Sequence, residues 1–184
     1  RTAFSFNVMK QLKILFSYFC MMDKIYSYQQ VYTFCIAIFT KMGCSETDAD
    51  IAAKVLIAAD LRGIDSHGVA RLSGYVRLWE AKRVNATPQL KVVHETPSTA
   101  VVDGDSGLGL VVAPYAMQAA INKAKNVGSG WVSVKNSNHF GIAGYHAMMA
   151  LPHDMIGIAM TNASALVAPT FSKERMLGTN PIAV

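Results

Sequence analysis

The sequence predicts an α/β fold: a helical N-terminal lead-in followed by a mixed sheet with packed helices. Three observations predict it. Apolar residues recur at helical spacing from Val31 to Trp79. Pro88 ends that pattern. Beyond it, short β-branched runs alternate with helix-like stretches, which is the signature of helices packed on a sheet. The chain thus divides into a leader at 1–22, a helical segment at 23–87 and an α/β region at 88–184.

The leader Arg1–Met22 opens without methionine, and Ser17 and Tyr18 interrupt its apolar core. No small-x-small cleavage site follows, so we read it as disordered or artefactual rather than as a signal segment, with Met22 as the start. From Tyr28 a helix is expected, with Val31, Phe34, Cys35, Ile38 and Met42 on one face and Gly43 as its stop. Ser45-Glu46-Thr47-Asp48 resembles a capping box, because a serine hydroxyl can accept from a free N–H one turn on. The helix it opens carries Ile51, Ala52, Val55 and Ala59 inward and reaches Arg62. Gly63–Gly68 is a turn-rich interruption, and a third helix presents Leu72, Tyr75, Val76 and Trp79. Strands are expected at 90–94 and 99–102, then a glycine-rich loop at 103–109. A helix over 111–126 turns Met117, Ala120, Ile121 and Ala124 inward, and Gly128 stops it. A strand at 131–135, a helix at 142–151, a strand at 155–161 and a last strand within 176–184 complete the chain.

Composition narrows the function. Hydrophobic residues make up 52% and charged residues 16%, enough apolar matter for a real core. The net charge is +5, but the seventeen Lys and Arg are scattered, which argues against a nucleic-acid partner. No apolar run reaches the roughly 18–20 residues of a membrane span. Cys20, Cys35 and Cys44 are odd in number and lack C-x-x-C spacing, as in a reducing, cytoplasmic setting.

Two stretches carry chemistry. Asn136-Ser137-Asn138-His139-Phe140-Gly141 forms a polar knot between a strand and a helix, where rigid elements present reactive groups. Imidazole titrates near neutral pH, so His139 can both take and give a proton. The bland alternative is a hydrogen-bonded structural histidine. The second stretch is Asp65-Ser66-His67-Gly68, with Arg71 one turn on. A guanidinium can hold a carboxylate through two parallel hydrogen bonds. Its bland alternative is a helix N-cap by Asp65 or Ser66, and cap and site can coexist.

Other patterns are weaker. Gly104-Asp105-Ser106-Gly107-Leu108-Gly109 could cradle a pyrophosphate, but Val112 stands where a dinucleotide fingerprint needs glycine, so a tight turn is the simpler reading. His139, His146 and His153 recur every seven residues, yet Gly141, Gly144 and Pro152 argue against one continuous helix, and no metal site is expected.

The motifs Asp60–Gly68, Arg71-Leu72 with Tyr75, Asn136–Gly141, Thr161-Asn162-Ala163 and Leu177–Pro181 together resemble the malate/L-lactate dehydrogenase family of NAD(P)-dependent enzymes. The resemblance implies a non-Rossmann fold, a homodimer, and a small 2-hydroxy or 2-oxo acid as substrate with NAD or NADP as cofactor. It implies His139 as the proton-transferring residue. Ser66, His67 and Arg71 match positions lining the substrate pocket. His67, Asn162, Ala163, Gly178, Thr179 and Asn180 match positions that contact the cofactor. Family members continue past the Gly-Thr-Asn-Pro motif, so the resemblance also implies a truncated chain, an N-terminal half. The alternative from another class is an inactive fragment that serves only as a binding or structural partner; a metal-dependent hydrolase using His67 and His139 is a distant third.

Overall fold

A computed structural model describes residues 25–184; the expected leader at 1–22 lies outside them. Contacts divide the chain after Gln30, and the architecture below is that of the unit Val31–Val184.

Helix α1, Tyr28–Lys41, buries Cys35 and Phe39, and Met42 follows on the same side. The apolar stripe is therefore rotated from the expected one. Phe34 faces outward with 55% of its surface exposed, and Phe39 takes its place in the core. Helix α2, Glu46–Asp60, starts where the capping box predicts, with Ser45 Oγ accepting the Asp48 N–H at 3.1 Å. It is buried on several sides, from Ala49 to Ala59, and its alanines let neighbouring elements approach closely. It ends at Asp60 rather than Arg62, because Gly63 turns the chain with a positive φ. Two short 3-10 turns, Asp65–His67 and Val69–Arg71, lead directly into helix α3, Leu72–Glu80. This helix buries Leu72 and Tyr75; Val76 and Trp79 are only partly covered.

Strand β1 is Lys91–Glu95, β2 is Thr99–Gly107 and β3 is Trp131–Ser137. They form a mixed sheet in the order β1-β2-β3, antiparallel between β1 and β2 and parallel between β2 and β3. The expected loop at 103–109 is a correction. Residues 103–107 continue β2, with Asp103 opposite Lys135 and Gly107 opposite Ser137. Positive φ at Asp105 and Ser106 absorbs the turn signals as a kink inside the strand. Helix α4, Gly109–Val127, joins β2 to β3 and stops at Gly128, whose positive φ lets its N–H bond to the Ala124 carbonyl.

The C-terminal elements are shorter than expected. Helix α5 spans only Ala143–Met148, and a 3-10 turn follows at Leu151–His153. Strands β4, Ala159–Met160, and β5, Ile182–Ala183, form a separate antiparallel pair. Ile156 and Ile158, expected within a longer strand, are exposed, and no strand pairs with them among the described residues. The main core joins α1, α2 and α3 to the start of α4 through Phe39, Leu56, Tyr75, Leu108 and Leu110. A smaller cluster of Ala143, Ala147 and Ala159 ties α5 to β4. The edge of β3 that no strand joins among the described residues borders a cleft of about 570 Å³, faced by α4 and β4.

Gly109 opens α4 against the backbone carbonyls of Asn138 and His139, so closely that a Cβ there would overlap them. Gly109→Ala is expected to cost about 1–3 kcal/mol, the range for overpacking a tight contact. Urea unfolding checks this; a wild-type midpoint would show that the corner has room to give.

Candidate functional site

The corner after β3 is held from three directions. Asn138 donates from Nδ2 to the carbonyls of Ser106 at 2.8 Å and Gly107 at 3.0 Å, pinning the corner to the end of β2. Gly109 backs it from α4. Gly141 turns the chain at φ +81°, a conformation glycine adopts without strain. The knot itself is braced by Asn136, whose Nδ2 donates to both carboxylate oxygens of Asp103 at 3.1 Å.

His139 is thereby presented on a rigid base. Its Nδ1 lies 2.7 Å from the hydroxyl of buried Tyr75 and accepts from the Gly141 N–H at 3.3 Å. A ring nitrogen that accepts a backbone N–H carries a lone pair, so Tyr75 donates and the neutral ring bears its proton on Nε2. Nε2 makes no hydrogen bond among the described residues. Protein crowds the ring on the Tyr75, His67 and Gly141 sides although the residue remains exposed. Desolvation first, then the charge of Arg71 and the nearby His67, push its pKa down to about 4. The imidazole is therefore neutral at pH 7.

The second stretch meets the first. His67 stacks on His139 with ring centroids 5.5 Å apart. Its Nδ1 lies 2.9 Å from Ser66 Oγ, and burial followed by the Arg71 charge lowers its pKa as well. Arg71 donates from Nε to the Ser66 carbonyl at 2.8 Å. That bond fixes the plane of the guanidinium, and its two terminal nitrogens keep no protein partner among the described residues. The structure thus brings Ser66, His67, Arg71 and His139 together: a positive fork, unpaired, beside two uncharged imidazoles.

A family pattern described as malate/L-lactate dehydrogenase matches residues 26–184. The chain belongs to that family. It is 53% identical over 155 residues to a malate dehydrogenase from Pyrococcus abyssi, covering 84% of this chain and 43% of that protein. It is 50% identical over 149 residues to an L-sulfolactate dehydrogenase from Methanocaldococcus jannaschii, covering 81% of this chain and 43% of that one. The solved malate dehydrogenase from Pyrococcus horikoshii superposes with a TM-score of 0.81 at 52% identity, covering 84% of this chain and 44% of that chain. The chain therefore spans less than half the length of these malate/L-lactate dehydrogenase relatives.

The family's later motifs form a second cluster. Asn180 Oδ1 accepts the Ala163 N–H at 2.9 Å, and Gly178 lies so close to the Ala163 carbonyl that a Cβ would overlap it. Asn162, Ala163, Gly178, Thr179 and Asn180 thus come together beside the β4–β5 pair, and Asn162 borders the cleft that Asn138 and Phe140 border opposite. The exposed side chains of Asn162 and Thr179 offer an amide and a hydroxyl without protein partners among the described residues. Such neutral groups fit the carboxamide and sugar hydroxyls of a nicotinamide nucleotide. They do not supply the cationic set a pyrophosphate would call for. No hydrogen bond joins Gly178, Thr179 or Asn180 to His139 among the described residues.

The sequence pattern puts Tyr75 on a helix face and in the family motif without assigning it a role, and the histidine heptad is only a weak metal pattern. Tyr75 is the hydrogen-bond partner of His139, and its place one turn beyond Arg71 was the available signal. His146 is a buried structural residue whose Nε2 donates to the Phe140 carbonyl at 2.8 Å, and it stacks on Phe140.

Two results are expected. An NMR titration should place the His139 midpoint near pH 4, well below 6.5, its ordinary value. A group that resists protonation in the folded state supports stability fully above its unfolded value, so that contribution should fade as pH falls from 6.5 toward 4. Tyr75→Phe should move part of the neutral population to the Nδ1–H tautomer, visible in ring 15N shifts. Unchanged shifts would mean that Tyr75 does not set the tautomer.

Proposed function

We propose that the chain is part of an NAD(P)-dependent oxidoreductase that transfers a hydride between a nicotinamide cofactor and a small 2-hydroxy or 2-oxo acid such as malate or lactate. The observation that carries this reading is the unpaired Arg71 fork beside a neutral His139 with a free Nε2. Arg71 receives the substrate carboxylate. Its plane is set by the Ser66 carbonyl, so the terminal nitrogens are aimed before the acid arrives. Ser66 and His67 line the same pocket.

In oxidation, the substrate hydroxyl donates its proton to His139 Nε2. This requires the Nδ1–H tautomer, in which Nδ1 donates to the Tyr75 hydroxyl and gives up the Gly141 N–H that it accepts at rest. A nicotinamide cofactor, when bound, would supply the hydride acceptor for the same carbon, which becomes a carbonyl. In the reverse direction, protonated His139 returns the proton to the carbonyl oxygen. The acid prepares that step: its carboxylate neutralises Arg71, which is one of the charges holding the His139 pKa down. His67, Asn162, Ala163, Gly178, Thr179 and Asn180 would contact the cofactor. The helical segment at 23–87 supplies Ser66, His67 and Arg71, and the region at 88–184 supplies His139 and the cofactor contacts. We read the enzyme as a cytoplasmic homodimer. Cys35 and Cys44 are buried free thiols whose pKa values burial first, and then Asp60 and Asp48 respectively, raise to about 11, which leaves them unreactive.

Steady-state assays with NADH or NADPH and pyruvate or oxaloacetate test the reading. His139→Ala is expected to lower turnover by about 10²–10⁴-fold while cofactor binding, followed by nicotinamide fluorescence, is largely kept. Arg71→Lys should raise KM for the acid on the order of ten- to a hundredfold, through loss of a charge-assisted hydrogen bond. Saturating acid should also raise the His139 midpoint. Wild-type turnover in His139→Ala would refute the proton-transfer role. Absence of both turnover and acid-linked titration in the wild type would favour a non-catalytic binding partner.

A further inference from the structure

Asp60 closes α2, where a carboxylate is locally unfavourable. Helix C-termini gather partial negative charge, so an acidic side chain there costs stability. Burial raises the Asp60 pKa further, against the pull of the Val69 N–H, and neighbouring Asp65 adds to the rise. Two local rules are broken at one position, and its contacts supply the reason. Asp60 Oδ2 accepts the Val69 N–H at 2.8 Å. Val69 opens the helical run that passes through Arg71 into α3. The residue in the cap position is Gly68, which has no side chain to cap with. Asp60 provides that cap from nine residues upstream. The fit is close: a Cβ on Gly68 would overlap all three atoms of the carboxyl group.

The remaining hydrogen bonds of residues 65–71 are local. His67 N–H donates to the Ile64 carbonyl, Gly68 N–H to Asp65, and Arg71 N–H to Gly68. They shape the loop without tying it to α2. Among the described residues, Ile64 N–H donates to the Ala59 carbonyl just before the loop, Val69 packs on the core, and the Asp60–Val69 bond is the side-chain hydrogen bond that ties the loop itself to α2.

We propose that Asp60 is a positioning residue for the 2-hydroxy acid site: its carboxylate caps the run that begins at Val69 and so sets where His67, Arg71 and Tyr75 stand around His139. This rests on the roles given above to Arg71 and His139. His67 stands two residues before the capped residue, Arg71 two residues after it, and Tyr75 one further turn along. A slip of the cap shifts the carboxylate fork and the imidazole's hydroxyl partner together.

Comparison of Asp60→Ala with Asp60→Asn tests the proposal, since asparagine keeps an oxygen for the Val69 N–H but loses the charge. KM for the acid is measured alongside an NMR titration of His139, whose ring is faced by Tyr75, His67 and Arg71. Asp60→Ala is expected to raise KM about tenfold, the scale of one lost hydrogen bond to a charged group. It is also expected to move the His139 midpoint upward as Arg71 withdraws, in protein that remains folded under the assay conditions. Asp60→Asn is expected to stay close to wild type in both. A folded Asp60→Ala protein with unchanged KM and titration overturns the proposal, as does a loss of site function that only tracks a lowered unfolding midpoint. Should Asp60→Ala fail to fold, Gly68→Ala drives a methyl group into the carboxyl atoms, and the same two shifts are expected; their absence is equally decisive. If the wild type turns over no acid, the functional reading fails, while the His139 titration still decides the role of Asp60.

Discussion

The approach of α4 to the backbone of Asn138 and His139 is the constraint on which the site depends. It exists because residue 109 has no side chain. Leu108 and Leu110 on either side are fully buried among the residues of α1, α2 and α3. One short stretch therefore locks the helical part of the molecule to the sheet corner. His139, Tyr75 and Arg71 come from elements far apart in sequence, and this junction lets them meet without a long loop between them.

The electrostatic design at the meeting point is asymmetric. One permanent cation, Arg71, stands among groups that are all neutral near pH 7, and its charge lowers the pKa of both His67 and His139. No carboxylate is paired with it among the described residues, so its terminal nitrogens are left for a ligand. Such a site is tuned for a small anion, and the anion's arrival changes the acidity of the neighbouring imidazole. Binding and proton readiness are thus coupled through a single charge.

Much of this was legible in the sequence. The capping box at Ser45, the stop at Gly128 and the mixed succession of helices and strands follow from local chemistry that nothing in the fold opposes. The pairing of Arg71 with His139 was visible through residue type and motif order. Tertiary contacts decided the rest. Phe39 displaced Phe34 from the core because the face of α1 is chosen by what α2 presents, not by periodicity within α1. The turn-rich run after Asp103 became strand because β3 offered it a partner through Gly107. The Asp60–Val69 cap was illegible because its cap position is a glycine and the capping group lies a helix away.

The margin of β3 that no strand joins among the described residues has a practical corollary. Trp131 and Val134 keep 56% and 39% of their surface in solvent along that strand, and no charge or proline on it except Lys135 discourages a visitor. Rows of unsatisfied amides and carbonyls of this kind recruit other chains by lateral addition. At high concentration the isolated polypeptide is therefore inclined to self-associate through this margin, and crystallisation or spectroscopy on it calls for dilute, chaperoned or co-expressed material.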